Sequence, residues 1–159
     1  MSNLPQGRKK RNHKKKGFLH RHSLGLASLG ILVLLIILYN FNDPQTHWGS
    51  FLGNAVADWT GVAVTVFATK YLYEKGSAES RNPKHEPDNA FLRFCLDHSL
   101  LLVLIPTGVI WTVMFLHSKT DSKWGQVVGN VVSEWTKLIG LVIMTKRLIE
   151  QHSKESAKG

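Results

Sequence analysis

The sequence predicts an all-α membrane protein whose four transmembrane helices form two parallel helical-hairpin repeats. Two stretches of twenty residues, Ser23–Asn42 and Ser99–Ser118, contain no Lys, Arg, Asp or Glu, and each is long enough to cross a bilayer as a helix. The 159-residue chain also repeats itself at an offset of 76 residues, since WGSFLGNAVADWTGVAVTVFATK at 48–70 matches WGQVVGNVVSEWTKLIGLVIMTK at 124–146. Together these observations predict the number of helices and their pairing.

The repeat extends beyond these two helices. When residues 18–80 are aligned with residues 94–156, 21 of 63 positions are identical and no gap is needed, whereas roughly one in sixteen is expected for unrelated sequences. Each unit contains two helices, so the second unit enters the membrane in the same direction as the first. We therefore expect a pseudo-two-fold axis along the membrane normal.

The first half of the chain begins with a basic segment without hydrophobic periodicity, which predicts a disordered cytoplasmic tail over residues 1–17. A turn at Asn42–Pro44 separates the two helices of the first repeat, and Gly76 is a candidate stop for the second of them. A proline-containing segment follows as a linker. The predicted division is a first repeat over 18–80, with helices at about 23–41 and 48–73, and a cytoplasmic linker over 81–90.

The second half is expected to follow the same plan. The second repeat covers 91–150, with helices at about 91–116 and 124–149, and a cytoplasmic tail over 151–159 closes the chain. Pro106 and Gly108 predict a kink in the first of these helices, because proline cannot donate a backbone hydrogen bond.

The positions of the Lys and Arg residues predict the orientation. Eight of them lie before Ser23, five between 70 and 95 and four after 145, whereas the short connections at 42–47 and 119–123 hold none and two. The positive-inside rule then places both termini in the cytoplasm, in a multi-pass protein of the inner (plasma) membrane. Residues 8–16 are expected to contact anionic lipid of the bilayer and not nucleic acid. Homo-oligomer formation is left open.

Ionisable residues inside the predicted spans mark a candidate site. Counting about 1.5 Å per residue from Trp48 places Asp58 roughly 15 Å deep, near the bilayer centre, and Glu134 has the equivalent position in the second copy. Asn54 and Asn130 come four residues earlier, so an amide and a carboxyl share a helix face in each copy. An acid at this depth costs about 2.5 to 3.5 kcal/mol on insertion scales. We therefore expect both pairs to point into the bundle.

The two copies differ where Lys137 stands in place of Gly61. Lys137 follows Glu134 by three residues, which is within reach of an intrahelical ion pair. Asp58 has no such neighbour, so it is expected to be protonated, bound to a cation, or paired with Lys137 across the axis. Thr65 and Thr69 are expected to continue the same stripe. We call the candidate residues the polar seam: Asn54, Asp58, Asn130, Glu134 and Lys137.

A purely structural explanation of these residues competes with a functional one. Polar side chains in membrane bundles often serve as hydrogen bonds between helices. Trp59 and Trp135 also prefer membrane interfaces, and if they lie there the two acids are near the outer surface. Close helix packing is favoured by small residues at Gly49, Gly53, Gly61 and Gly140.

Other kinds of site have little support in the sequence. No Ser/His/Asp spacing, phosphate-binding loop or C-x-x-C is present, so we predict no enzyme activity, no cofactor and no metal site. The lone cysteine, Cys95, cannot form an intrachain disulfide and is expected to be a small apolar residue.

Three motifs resemble those of a known family. The second copy contains N-x-x-S-E-W at 130–135 and T-x-x-L at 145–148, and the first contains GSAES at 76–80. Small bacterial membrane proteins of an uncharacterised domain family carry a similar N-x-x-S-E-aromatic, T-x-x-L and G-S-x-E-S pattern. The first copy departs from it with Ala57-Asp58 in place of Ser-Glu. A weaker likeness is to low-affinity iron permeases. Neither resemblance implies an assigned activity.

Two functions from different classes follow. The first is a small proton or cation transporter or channel that uses the polar seam, with Asp58 as the carrier. The second is a non-transporting scaffold or accessory protein in which the seam only packs helices or binds a partner.

Overall fold

The computed structural model describes residues 22–78, 83, 87–119 and 122–148, which form five α-helices and no strand. Four of the helices are long and apolar enough to cross a membrane. The predicted all-α membrane fold is therefore confirmed, and the chain is a multi-pass integral membrane protein. The helices are α1 (Ser23–Phe41), α2 (His47–Tyr71), α3 (Ala90–Asp97), α4 (Ser99–His117) and α5 (Lys123–Arg147).

The bounds of the four long helices follow the 76-residue offset. Helices α1 and α4 each have 19 residues, and α2 and α5 each have 25. Hydroxyl side chains cap the two longer helices in the same way, because Thr46 accepts from the Gly49 amide and Ser122 accepts from the Gly125 amide, each at 3.0 Å. Such caps satisfy amides that have no partner within the helix. The arrangement of the hairpins about a common axis stays a prediction.

The structure corrects the expected third helix. In place of one helix over about 91–116, the chain forms α3 and α4, with a break at His98. The segment after α2 crosses this break: the Leu100 amide donates to the Tyr73 carbonyl at 3.0 Å, and the Lys75 amide donates to the Asp97 carbonyl at 2.7 Å. These groups would pair internally in a continuous helix. The break therefore exists because another part of the chain docks there. The kink at Pro106, which lies inside α4, stays a prediction.

The end of α2 lies close to its expected position, but Gly76 is not its stop. The helix stops at Tyr71, and Leu72 is already extended, with φ −107° and ψ 153°. Gly76 lies in the following turn with φ +83°, a conformation that glycine adopts without the clash of a Cβ. Gly76 therefore shapes the turn after α2 and does not end the helix.

The bundle is built around α2 and α5. Helix α1 packs against α2, α4 packs against α5, and α2 packs against α5. Much of the outward surface of α1 and α4 consists of exposed apolar side chains, as expected for helices that face lipid. Two clusters of buried apolar residues hold the helices together: the first includes Tyr39, Val56, Val131 and Trp135, and the second Leu100, Leu104 and Val142.

Tyr39 ties the end of α1 to the start of α5. The side chain is 1% exposed, and its hydroxyl donates to the Lys123 carbonyl at 2.5 Å. Gly53 allows this contact, because a Cβ at that position would lie 3.2 Å from the Tyr39 ring. The Lys123 ammonium donates to the carbonyls of Asn40 and Asn42 at 3.0 and 2.6 Å, where the end of a helix carries partial negative charge.

Candidate functional site

Asn54 of α2 and Asn130 of α5 meet between the two central helices. The Asn130 Nδ2 atom donates to the Asn54 Oδ1 atom at 2.5 Å. The two residues occupy equivalent positions of the sequence repeat, 76 residues apart. This amide pair joins the two halves of the chain directly, which is the role that interhelical hydrogen bonds have in membrane bundles.

Glu134 lies one turn further along α5 and contacts both helices. Its carboxylate forms an ion pair with Lys137 on the same helix, as the spacing predicts. Its Oε2 atom lies against Gly61 of α2, where an added Cβ would be 3.1 Å away. The Glu134 side chain is 15% exposed and that of Lys137 is 64% exposed. Gly61 therefore makes room for Glu134, which explains why the two repeats differ at this position.

Asp58 is placed differently from Glu134. It shares a helix face with Asn54, as expected, but that face is exposed, whereas the adjacent Ala57 is 1% exposed. The expectation that both pairs point into the bundle is therefore wrong for Asp58, whereas Asn54 still contacts Asn130 of α5. Small residues of α2, Ala57 and Gly61, face inward and let α5 approach closely, so no space for a second carboxyl is left between the helices.

The position of Asp58 along α2 makes its exposure costly in a membrane. It stands eleven residues after His47 and thirteen before Tyr71, the two ends of the helix. A carboxylate at the middle of a spanning helix costs about 2.5 to 3.5 kcal/mol if it faces lipid. Asp58 and the exposed Lys137 therefore need water or protein around them.

The threonines of α2 do not belong to this exposed face. Thr65 and Thr69 are half-buried, and they line an apolar crevice together with residues of α4 and α5. Their hydroxyls donate to carbonyls one turn earlier in the same helix, at 2.9 and 2.6 Å. With the hydroxyls used in this way, the crevice presents mainly apolar surface, and the expected stripe from Asp58 to Thr69 is not formed.

Trp135 is a packing residue of the bundle. It is 6% exposed, its ring lies against Trp111, and its indole N–H donates to the Thr107 hydroxyl at 2.9 Å. Gly108 leaves room for the ring, since a Cβ there would be 3.1 Å from it. A buried indole with a hydrogen-bond partner needs no membrane interface to explain its position. The position of Trp135 therefore gives no reason to place Glu134 near the membrane surface.

A second polar cluster lies where the segment after α2 meets the start of α4. Glu74 is completely buried, and its Oε1 atom lies 2.7 Å from both the His98 Nδ1 atom and the Lys146 Nζ atom. Its Oε2 atom accepts the Leu101 amide at 3.1 Å. A buried carboxylate with several hydrogen-bond donors is well compensated for the loss of water. We call Glu74, His98, Leu101 and Lys146 the Glu74 cluster.

Two further contacts surround the Glu74 cluster. Lys75 pairs with Asp97 at 3.2 Å, which fixes the turn against the end of α3. The hydroxyls of Ser77 and Thr145 lie 2.9 Å apart. Ser77 belongs to the GSAES motif of the first copy, whereas Thr145 begins the T-x-x-L motif of the second. The motifs therefore meet across the two halves of the protein.

The sequence analysis missed the Glu74 cluster, although the repeat contained a signal for it. Three of its residues recur at the offset of 76: Glu74 matches Glu150, His98 matches His22, and Lys146 matches Lys70. The first half brings the equivalent Lys70 and His22 side chains to 2.9 Å, while Glu150 lies outside the described residues. Polar residues that recur at the ends of the spans therefore indicated polar contacts in this protein.

Comparison with protein-family models, with curated proteins and with solved structures gave no match to this chain. The resemblance to the uncharacterised bacterial family and the weaker likeness to low-affinity iron permeases both stay predictions.

Proposed function

We propose that this integral membrane protein moves protons or small cations across the membrane at the polar seam between α2 and α5. One observation carries the proposal: three ionisable side chains lie in the middle turns of two spanning helices that pack against each other, an exposed Asp58 on α2 and the Glu134–Lys137 ion pair on α5. Ionisable residues at this depth are rare because they are costly, and they are typical of ion pathways and proton relays.

The residues of the seam have different roles in this proposal. Glu134 already pairs with Lys137, so Asp58 is the acid whose charge is balanced by a proton or a cation. The Glu134–Lys137 pair lies on the neighbouring helix α5, and its role in this proposal is to modulate that charge. Asn54 and Asn130 hold the two helices in register one turn away, and Gly61 keeps them close.

The test is ion flux in liposomes. The purified full-length chain is incorporated into vesicles that contain a pH-sensitive dye, and proton, Na⁺ and K⁺ gradients are imposed in turn. We expect flux for at least one ion and its loss in Asp58→Asn, because the amide cannot carry a proton or neutralise a cation. Asp43→Asn is the matched control, since Asp43 is an exposed acid outside the spanning helices. Flux that is equal in Asp58→Asn and the wild type removes Asp58 from the role.

A second candidate function is a non-transporting scaffold or accessory protein. The observation that favours it is that part of the seam is used for packing: Asn54 bonds Asn130, and Glu134 lies against Gly61. In this case the seam stabilises the bundle or binds another membrane protein. The absence of flux for every ion, combined with a loss of folded protein in Asn130→Ala, would support the scaffold and contradict the transporter.

A further inference from the structure

The outward surface of the four spanning helices is divided into two kinds of face. The exposed positions of α1 and α4 are mainly apolar, with Leu24, Val33 and Ile110 between 53% and 68% exposed. Lipid chains cover such a surface without cost. These two helices need no protein partner.

The exposed face of α2 and α5 is polar. It carries four exposed residues, Asn54, Asp58, Ser133 and Lys137. Asn54 also accepts the hydrogen bond from Asn130. We call these four residues the α2–α5 polar face. They lie in the middle turns of helices that are long enough to cross a membrane, where hydrocarbon offers no hydrogen bond and no counter-charge. The face therefore requires a cover.

The charges on this face are self-complementary. Asp58 on α2 is an exposed acid. Lys137 on α5 forms an ion pair with Glu134, but 64% of its side chain is exposed, and its ammonium has further donors for a second carboxylate. In a two-fold dimer, if Asp58 of one copy contacts Lys137 of the other copy, then Lys137 of the first copy contacts Asp58 of the second. One such dimer forms the Asp58–Lys137 contact twice. Asp58 is eleven residues from the start of α2 and Lys137 fourteen from the start of α5, a difference of about 4.5 Å in height that a lysine side chain spans.

Apolar side chains next to the polar face suit the same contact. Phe51 and Val62 flank Asn54 and Asp58 on α2 and are 58% and 44% exposed, and Met144 follows Lys137 on α5 and is 49% exposed. Gly140, one turn after Lys137, has no atom within 4 Å of an added Cβ, so it offers a place where a second helix can approach closely. The face combines charge pairs, apolar borders and a small residue.

We propose that a second copy of this chain covers the α2–α5 polar face, around a two-fold axis along the membrane normal. Asp58 of each copy then approaches Lys137 of the other, and α2 and α5 of both copies form a central group of four helices. The inference holds whether or not the protein moves ions, because a scaffold with this face needs the same cover. A water-lined cleft and a different membrane protein are the alternatives that the test separates.

The first measurement is the oligomeric state of the full-length chain in lipid nanodiscs or vesicles, by single-molecule photobleaching of a label on the native Cys95. Two-step bleaching is expected, after correction for incomplete labelling. Single steps only, at all protein-to-lipid ratios, would overturn the proposal in favour of a water-lined cleft or a different partner.

The second measurement locates the interface by oxidative cross-linking in the Cys95→Ser background. Ser133→Cys on the polar face is compared with Val33→Cys, a matched position on the apolar face of α1. Disulfide-linked dimers are expected to form at least about tenfold faster for Ser133→Cys than for Val33→Cys. The reason is that the proposed interface brings the two Ser133→Cys thiols together and so raises their effective concentration. Equal rates, or a faster reaction of Val33→Cys, would show that another face is used and overturn the proposal.

The third measurement tests the charges themselves. Asp58→Lys places like charges opposite each other and is expected to weaken the dimer by about tenfold or more. Asp58→Glu keeps the negative charge and leaves the Glu134–Lys137 ion pair intact, so it is expected to keep the dimer. An Asp58→Lys protein that dimerises as tightly as Asp58→Glu contradicts the reciprocal pairing. Both variants are first checked for folding by size-exclusion chromatography. None of these readouts depends on ion flux, so a failed flux test and a failed dimer are distinguishable.

Discussion

Gly61 of α2 lies directly against the Glu134 carboxylate of α5, so close that a Cβ at position 61 would stand 3.1 Å from the Oε2 atom. The equivalent residue of the second repeat, Lys137, forms an ion pair with the same carboxylate. At equivalent positions of the two repeats, Gly61 thus leaves room for the Glu134 side chain and Lys137 supplies its counter-charge. The difference between the repeats is what allows an acid to sit between two closely packed helices.

Gly61→Ala is predicted to cost stability relative to a matched glycine elsewhere. Alanine normally favours a helix over glycine by about 1 kcal/mol, but at position 61 the methyl group must displace Glu134, which costs about 1 to 3 kcal/mol in a packed site. Gly30→Ala is the control, because no atom lies within 4 Å of a Cβ there. We expect the control to keep or raise the free energy of unfolding in mixed micelles and Gly61→Ala to lie below it. Equal values for the two variants would contradict the close approach.

Glu74→Ala is predicted to be among the most destabilising substitutions at the ends of the helices. It leaves the His98 ring, the Lys146 ammonium and the Leu101 amide without their acceptor, and breaking a buried ion pair costs about 3 to 5 kcal/mol. Lys75→Ala removes a neighbouring ion pair in which the Lys75 side chain is 65% exposed and the Asp97 side chain 13% exposed. It is expected to cost less than Glu74→Ala, because the Lys75 side chain is largely solvated and exposed charges contribute little to an ion pair.

The two variants are compared by heating each protein and measuring how much of it still elutes as a single peak in size-exclusion chromatography. A Glu74→Ala protein that survives heating as well as Lys75→Ala would show that the Glu74 cluster does not hold the chain segment after α2 in place.

Tyr39→Phe is predicted to weaken the contact between α1 and α5 without disturbing its packing. The change removes one hydrogen bond to the Lys123 carbonyl, worth about 0.5 to 1.5 kcal/mol, and leaves the ring against Gly53. Phe115, the equivalent residue in the second repeat, lies against Gly129 in the same manner. Phe115→Tyr is therefore the reciprocal control, and it is expected to give no gain in the free energy of unfolding.

Thr107 and Trp135 are predicted to be energetically coupled. Thr107→Val and Trp135→Phe each remove one partner of the hydrogen bond at 2.9 Å, so the double variant should cost less than the sum of the single ones. A coupling energy of about 0.5 to 1.5 kcal/mol is expected from a thermodynamic cycle. Strict additivity would mean that the bond contributes nothing to stability, and the ring contact with Trp111 alone would then account for the position of Trp135.

The spanning helices were predictable because their signals are local. A charge-free run and a repeated stretch are each read from consecutive residues, and the observed bounds of α1 and α2 agree with the predicted ones. The break at His98 was not predictable in this way. It depends on backbone bonds from Tyr73 and Lys75, which are distant in sequence and leave no mark on the hydrophobic pattern of residues 91–116.

The candidate site shows the same distinction. The pairing of Glu134 with Lys137 follows from a spacing of three residues on one helix, and the structure contains it. The direction in which Asp58 faces is different, because it depends on which side of α2 packs against α5. Ala57 and Gly61 decide that side by their small size, and their neighbour Asp58 is left outside. The exposed position of Asp58 follows only once it is known that α2 packs against α5, and the sequence does not state which helices pack together.

The Glu74 cluster also sets an order of events during biogenesis. Glu74 is synthesised 24 residues before His98 and 72 residues before Lys146. At a translation rate of roughly 5 to 20 residues per second, these intervals last about 1 to 5 seconds and about 4 to 14 seconds. The Glu74 carboxylate is therefore made before the His98 ring and the Lys146 ammonium that contact it in the finished fold. The contact between Glu74 and Lys146 forms only after α5 has been synthesised, so the complete burial of Glu74 depends on the presence of all four spanning helices.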